Sequence, residues 1–275
     1  MDKATAEKLR QKAKRIRTGI IEALGLGKPG HLGGSMSAAD MVAVLYYYKM
    51  NVDPKNPKKP DRDRFIMSKG HSVLGQYAAL ADLGYYPWEE LSRTKTLGGL
   101  LQGHPEISTP GIEANTGSLG QGLSLGVGMC LAARRDGAAW RVFVVTGDAE
   151  LGEGQIWEAA TAAANYKLDN LRVLVDANGI SAMGRVADRY NVGDADGIAA
   201  KFAAFGWNAK VVDGHDVEEI GDALDAADRV KGKPSAIVGR TVKGKGVSFA
   251  ENTHAYHNKD MSEETRAKAL AEING

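Results

Sequence analysis

Asp148 stands just past an apolar run, Val142-Phe143-Val144-Val145, and Asn178 stands just past a second, Leu171 to Asp176, with 29 residues between the two polar groups. Short apolar runs of this kind read as buried strands, so a carboxylate and a carboxamide fall at two strand ends. Placed side by side in a parallel sheet they offer hard oxygen ligands to a divalent cation, and the cation can clamp a diphosphate. Either residue alone is more simply a helix cap or turn former. The joint spacing favours a bound cofactor.

Histidine supplies the second chemical signal. Four of the six follow a glycine, in Gly30-His31, Gly70-His71, Gly103-His104 and Gly214-His215, far more than 34 glycines in 275 residues would give by chance. Glycine beside a histidine lets backbone and ring approach a ligand closely, and imidazoles move protons near neutral pH. Such a set suits a polar substrate undergoing proton transfers. His215, in Asp213-Gly214-His215-Asp216 ahead of a helix, reads instead as a turn and cap element. His31, His71, His104, His254 and His257 remain as candidates, and spacing alone does not make them converge.

Two glycine-rich segments offer anion cradles. Thr116-Gly117-Ser118-Leu119-Gly120-Gln121-Gly122 precedes an apolar helical stretch, where exposed amides suit a diphosphate. Lys243-Gly244-Lys245-Gly246 adds positive charge. In both, glycines serving only tight packing are the simpler alternative. Gly25-Leu26-Gly27-Lys28-Pro29-Gly30 spells a dinucleotide fingerprint but follows a helix rather than a strand, so it is a decoy.

These groups need a scaffold. Apolar residues at Leu9, Ala13, Ile16, Ile20 and Leu24 predict a helix over 3–24. Helices follow over 37–48, 73–83, 120–135, 155–167, 196–204, 216–231 and 262–272, with strands over 64–68, 141–146, 171–176, 208–212 and 235–240. Residues 94–117 read as a loop, and the charges of Asp53 to Asp63 as a solvated surface. The alternation predicts an α/β fold, a doubly wound, mostly parallel sheet with helices on both faces, in one domain over 1–275 with an N-terminal helical extension. Ligands of such sheets lie beyond the carboxyl ends of the strands.

Charge is balanced, 35 basic against 34 acidic residues, which argues against nucleic acid or an anionic membrane as partner. No apolar run reaches the length of a membrane span. The single cysteine, Cys130, lies in an apolar helical pattern and reads as core packing, and no secretory signal is evident, so a reducing cytoplasm is the expected compartment.

Taken as a set, Gly30-His31-Leu32-Gly33-Gly34-Ser35, Ser68-Lys69-Gly70-His71, Gly103-His104-Pro105-Glu106, Thr116 to Gly122, Gly147-Asp148 through Glu153-Gly154, Asp176-Ala177-Asn178, Val212 to Asp216 and Thr253-His254 resemble the N-terminal, thiamine-diphosphate-binding half of transketolase. The resemblance runs over nearly the whole chain. It implies that Asp148, Asn178 and the backbone carbonyl of Ile180 hold magnesium or calcium against the cofactor's diphosphate. It also implies that His71 and His254 approach the diphosphate and reaction centre, that Gly117 and Leu119 line the cofactor, and that His31 and His104 bind sugar hydroxyls. Glu153 matches a family glutamate near the cofactor and the subunit contact. Ala149 beside Asp148 stands where a glycine is usual, a change small enough for cofactor binding to survive. Asn258 after His257 departs from a frequent glycine near the expected entrance and leaves donor preference open, with ordinary pentose phosphates and sulfonated sugars both possible.

The activity implied is transfer of a two-carbon ketol unit from a ketose to an aldose. Single-chain transketolases continue into a domain carrying the glutamate that activates the cofactor, whereas this sequence stops at Gly275. The resemblance is therefore to the N-terminal subunit of a split transketolase, active only with a C-terminal transketolase subunit, in a heterotetramer of two copies each, with helices 120–135 and 155–167 near the contact. Two other readings compete: a thiamine-diphosphate enzyme decarboxylating 2-oxo acids, which the loop histidines disfavour, and a non-catalytic stabilising subunit, which the intact Asp148, Asn178 and histidines disfavour.

Overall fold

A computed structural model describes residues 1–275. Five strands, β1 (Arg64–Met67), β2 (Val142–Gly147), β3 (Leu171–Ala177), β6 (Asn208–Asp213) and β7 (Ser235–Arg240), form one sheet in the order β1-β2-β3-β7-β6. Every pairing in it is parallel. A small antiparallel hairpin, β4 (Ile180–Ser181) with β5 (Gly184–Arg185), follows β3. Side chains alternate across the sheet, as the pleat requires. Phe65, Met67, Phe143, Val145, Leu174 and Ile237 enter one core, and Ile66, Val144, Val173, Val175 and Val238 enter the other.

Helices cover both faces. On the first lie α1 (Lys3–Leu24), α3 (Ala39–Val44), α4 (Leu74–Leu83), α8 (Val217–Arg229) and α9 (Glu263–Asn274); on the second lie α5 (Gln121–Arg135), α6 (Gly154–Asn165) and α7 (Ala195–Ala204). The Asp2 side chain starts α1 by accepting from the Thr5 amide at 2.8 Å, a cap worth about 1 kcal/mol. Gly25 ends it at φ +65°, so the decoy fingerprint is a helix stop and turn. Rather than an extension, α1 is built into the core through Leu9, Ile16 and Ile20.

Two expectations need correction. The helix expected over 37–48 begins earlier, as α2 (Leu32–Ser37), continues as α3 and finishes in a π turn, Leu45–Lys49. Gly33 and Gly34 disfavour helix by about 1 kcal/mol each, but close packing requires them: a Cβ on Gly33 would lie 2.9 Å from the Lys243 side chain, and one on Gly34 2.6 Å from Ser72 Oγ. The 53–63 loop is also not wholly solvated. Asp63 is buried and pairs with Arg141 at 2.7 Å, fastening the loop beneath β2. Cys130 is free and fully buried, and no helix is long and apolar enough to cross a membrane.

Candidate active site at the carboxyl ends of the strands

Beyond the carboxyl ends of β1, β2, β3 and β7 lies a cavity of about 330 Å³. His31, His71, His104, Gly117, Leu119, Asp148, Ala149, Glu153, Asn178 and Ile180 all line it, joined by Lys69, Lys243 and His257. Pairing of Gly147 with Asp176 across β2 and β3 sets Asp148 and Asn178 side by side. Asp148 Oδ2 accepts from the Gly179 amide at 2.5 Å and its Oδ1 from the Ala149 amide at 2.8 Å. Burial, reinforced by the charge of Asp176, pushes the Asp148 carboxyl up to about 6. The Asn178 side chain donates to Asp176 Oδ2 at 3.1 Å, and its oxygen accepts from the Ile180 amide at 3.1 Å.

Asp176 organises this floor. It is fully buried and accepts from Ser37 Oγ at 2.6 Å, from Thr241 Oγ1 and from the ammonium of Lys69. Burial opposes its ionisation, but Lys69 and these donors prevail and hold the carboxyl below its ordinary range. Lys69 also donates to the Gly34 carbonyl at 2.8 Å, so the glycine-rich α2 is tied to the β3 strand end. Sequence reasoning left Asp176 and Lys69 without roles of their own, although a charged residue closing an apolar run was a signal that could have found the first.

Glu150 is a second buried anchor the sequence did not single out. Its carboxylate accepts from Ser68 Oγ, from the Gly120 amide at 2.9 Å and from the Gly147 amide at 3.1 Å. It thereby pins the cradle loop before α5 and the Gly147-Asp148 turn to the end of β1. Burial raises its carboxyl despite these donors.

Lys243 donates to the Ile180 carbonyl at 2.7 Å and meets His257 Nδ1 at 2.9 Å. Burial and the neighbouring charge of Lys69 push its ammonium down to about 8. The weak basic signal after β7 is thus a cation facing the cavity. His215 proves to be more than a turn element. Its Nδ1 lies 2.8 Å from Asp40 Oδ2 and its Nε2 accepts from the Val242 amide at 2.8 Å, which buckles the segment next to Lys243. Asp216 is the cap of α8, accepting from the Glu218 amide at 2.8 Å.

The imidazoles do converge. His31 lies 4.9 Å from His71, 5.3 Å from His257 and 6.1 Å from His104, ring centre to ring centre. Burial and the surrounding cations lower His31 to about 4 and His257 to about 3; His104 is lowered by burial and Lys95. At neutral pH His31 and His257 are uncharged. Gly117, at φ +149°, brings its backbone so near that a Cβ there would lie 2.8 Å from the His104 ring.

His254, which the resemblance put at the reaction centre, is exposed and does not line the cavity. The His257 amide donates to the His254 carbonyl at 2.9 Å, closing a turn that sends the two side chains different ways. His257 occupies the cavity instead.

A sheet of this topology, with hard oxygen donors and a cation at adjacent strand ends and glycines at the walls, defines an α/β domain shaped to hold a diphosphate. The family described as transketolase, thiamine diphosphate binding domain, matches residues 9–273, and the chain belongs to it. It is 41% identical over 266 residues to the 6-deoxy-6-sulfo-D-fructose transketolase subunit SqwG of Clostridium sp. (strain MSTE9), covering 96% of each chain. It is 38% identical over 267 residues to a subunit of the apulose-4-phosphate transketolase of Phocaeicola vulgatus, covering 97% of this chain and 94% of that one. The fold matches transketolase from Campylobacter jejuni with a TM-score of 0.88 at 31% identity, the whole of this chain corresponding to 43% of that one.

Proposed function

We propose that this chain is the N-terminal subunit of a two-chain transketolase, moving a two-carbon ketol unit from a ketose with an acidic tail to an aldose. The observation that carries the reading is the meeting of Asp148, Asn178, Lys243 and four histidines in one cavity at the ends of parallel strands. Neutral imidazoles donate to and accept from a row of hydroxyls, which a ketose has and a 2-oxo acid lacks.

The residues present fit thiamine diphosphate with magnesium or calcium. Asp148, the Asn178 oxygen and the Ile180 carbonyl are hard donors of the kind those ions take. Asp148 is raised by burial and Lys243 lowered by it, so each awaits a partner of opposite charge: a divalent cation for one, a diphosphate for the other. Gly117 and Leu119 would line the cofactor. When bound, the cofactor supplies an electron sink for carbon–carbon bond cleavage. The chain's own part is to orient the donor through His31 and His104, to exclude water with buried walls, and to hold or pass protons at His71 and His257.

The same reading gives the chain a partner, the C-terminal transketolase subunit, with two copies of each in the assembly, and the cytoplasm as compartment. Glu153, on the cavity wall, would lie toward that contact. The test is reconstitution. The chain alone, the product of the neighbouring gene alone and their mixture are each given thiamine diphosphate, magnesium and a panel of phosphorylated and sulfonated ketoses. Ketol transfer is expected from the mixture only. Turnover by the isolated chain at the rate of the mixture would refute the reading.

A further inference from the structure

The turn after β6, Asp213 to Asp216, contributes no side chain to the cavity wall, yet it touches a segment that does. Gly214 lets it lie against the chain that follows β7: the Gly214 amide donates to the Arg240 carbonyl at 2.8 Å, and an added Cβ there would collide with the Thr241 side chain. The His215 side chain is only 15% exposed. Its Nε2 accepts from the Val242 amide at 2.8 Å. A ring nitrogen that accepts carries no proton, so in the neutral ring Nδ1 carries it and donates to Asp40 Oδ2 at 2.8 Å.

The carboxylate that meets the imidazole is itself fixed. Asp40 lies in the first turn of α3, all of whose residues are buried. Both its oxygens face the Arg17 guanidinium of α1, Oδ2 at 2.5 Å and Oδ1 at 3.2 Å. Burial opposes its ionisation, but Arg17 and His215 prevail and hold the carboxyl below its ordinary range. Asp40 is therefore an acceptor only, and it leaves the neutral ring one tautomer. Arg17 Nε donates to the Lys245 carbonyl at 3.1 Å. One carboxylate thus governs two contacts with one short stretch of chain, at Val242 and at Lys245, and Lys243 lies between them.

We propose that His215 and Asp40 are positioning residues that aim the Lys243 ammonium into the cavity, the carboxylate acting through the tautomer it imposes on the ring. This rests on the reading of Lys243 as a cation facing the cofactor and extends it to the residues that set its direction. A lysine head on a flexible four-carbon stem is placed only where its main chain is held. The Lys243 carbonyl accepts from the Asn252 amide at 2.9 Å and the next amide, Gly244, donates to the Gly33 carbonyl at 3.0 Å. The Val242 contact completes this clamp on the side toward β7. A role confined to neutralising Asp40 would need only Nδ1 of the ring, whereas the positioning role needs Nε2.

Two variants separate the nitrogens. The amide of asparagine falls near Nδ1, so His215→Asn keeps a donor to Asp40 and abandons Val242. The amide of glutamine falls near Nε2, so His215→Gln keeps an acceptor for Val242 and abandons Asp40. Each is titrated calorimetrically with magnesium and thiamine diphosphate in the pair reconstituted with the product of the neighbouring gene. His215→Asn is expected to weaken affinity about tenfold, the scale of one charge-assisted contact, with kcat retained at saturating cofactor, and His215→Gln to keep most of the wild-type affinity. On a Lys243→Met background His215→Asn should weaken binding no further, because its effect passes through the ammonium. Nitrogen NMR of the unliganded wild-type chain, which needs no variant to fold, should find His215 protonated at Nδ1 and bare at Nε2. A proton on Nε2, an asparagine variant that binds as wild type while the glutamine variant does not, or losses that add in the double variant would each overturn the proposal. Unchanged affinity in Lys243→Met alone would instead strike the reading of Lys243 itself, and this proposal with it.

Discussion

The cavity holds a carboxylate at a cost to stability, and the cost can be measured. Burial and the negative charge of Asp176 move Asp148 from an ordinary value near 3.8 to about 6. Each tenfold change in proton affinity corresponds to about 1.4 kcal/mol, so keeping the group ionised in the metal-free fold costs about 3 kcal/mol above pH 6. The sign follows from linkage. At low pH the carboxyl is protonated in folded and unfolded chains alike and the penalty vanishes. Between about pH 4 and 6 the folded chain keeps a proton that the unfolded chain has released, so stability falls as pH rises through that window. Asp148→Asn removes the charge and keeps the shape. It leaves the Gly179 or the Ala149 amide facing an NH2, a pH-independent loss of about 1–3 kcal/mol. The stability difference, variant minus wild type, should therefore move in favour of the variant by about 2 kcal/mol between pH 4.5 and pH 8. The assay is urea unfolding in EDTA at both pH values, with the histidines titrating in both proteins and cancelling in the difference. Adding magnesium and thiamine diphosphate should stabilise wild type and not the variant. Parallel pH profiles for the two proteins would refute the argument that burial of this carboxylate is a strain relieved by a cation.

Further predictions concern its neighbours. Asp176→Leu strands the buried ammonium of Lys69 and should cost about 3–5 kcal/mol; Lys69→Met combined with it should recover much of the loss, and additive losses in urea unfolding would count against the pair. Glu150→Gln turns an NH2 toward one of the Gly120 and Gly147 amides, and should cost about 1–3 kcal/mol and weaken cofactor-dependent thermal stabilisation more than it lowers kcat of the saturated pair. Lys243→Met removes the cavity's ammonium, which burial lowers to about 8, and should reduce thiamine diphosphate affinity, read by calorimetry, while a variant of exposed His254 should not. His31 and His257, lowered to about 4 and 3, contribute stability that is present above about pH 6.5 and lost as pH falls toward those values; nitrogen NMR should find both rings uncharged at pH 6.

The fold was largely legible because its strongest signals are local. Short, mostly apolar runs gave β2, β3 and β7, and the 3.6-residue spacing of Leu9 to Leu24 gave α1 from end to end. The misplaced start of the second helix lay where local preference and tertiary packing disagree. Gly33 and Gly34 argue against helix by themselves, and the structure requires glycine at both because Lys243, more than 200 residues away in sequence, packs against Gly33 and Ser72 against Gly34. The hairpin β4–β5 was invisible for a related reason, since two-residue strands carry no periodicity.

Site residues divide along the same line. Asp148 and Asn178 could be found because strand ends in a parallel sheet share one edge, so a position along the chain becomes a position in space. Lys69, Asp176 and Glu150 act through partners on other elements, and nothing in the sequence near each one names that partner; only the oddity of a charged residue in an apolar setting marked Asp176. The exchange of His254 for His257 is of a third kind. Both lie in one short segment without regular structure, where a single turn, closed by the His257 amide on the His254 carbonyl, decides which ring faces inward. Neither spacing nor resemblance fixes the direction of a side chain across such a turn. It is set by what the segment packs against, here the ammonium of Lys243 at 2.9 Å from the ring of His257, so the identity of the inward histidine is a property of the assembled cavity and not of the segment that carries it.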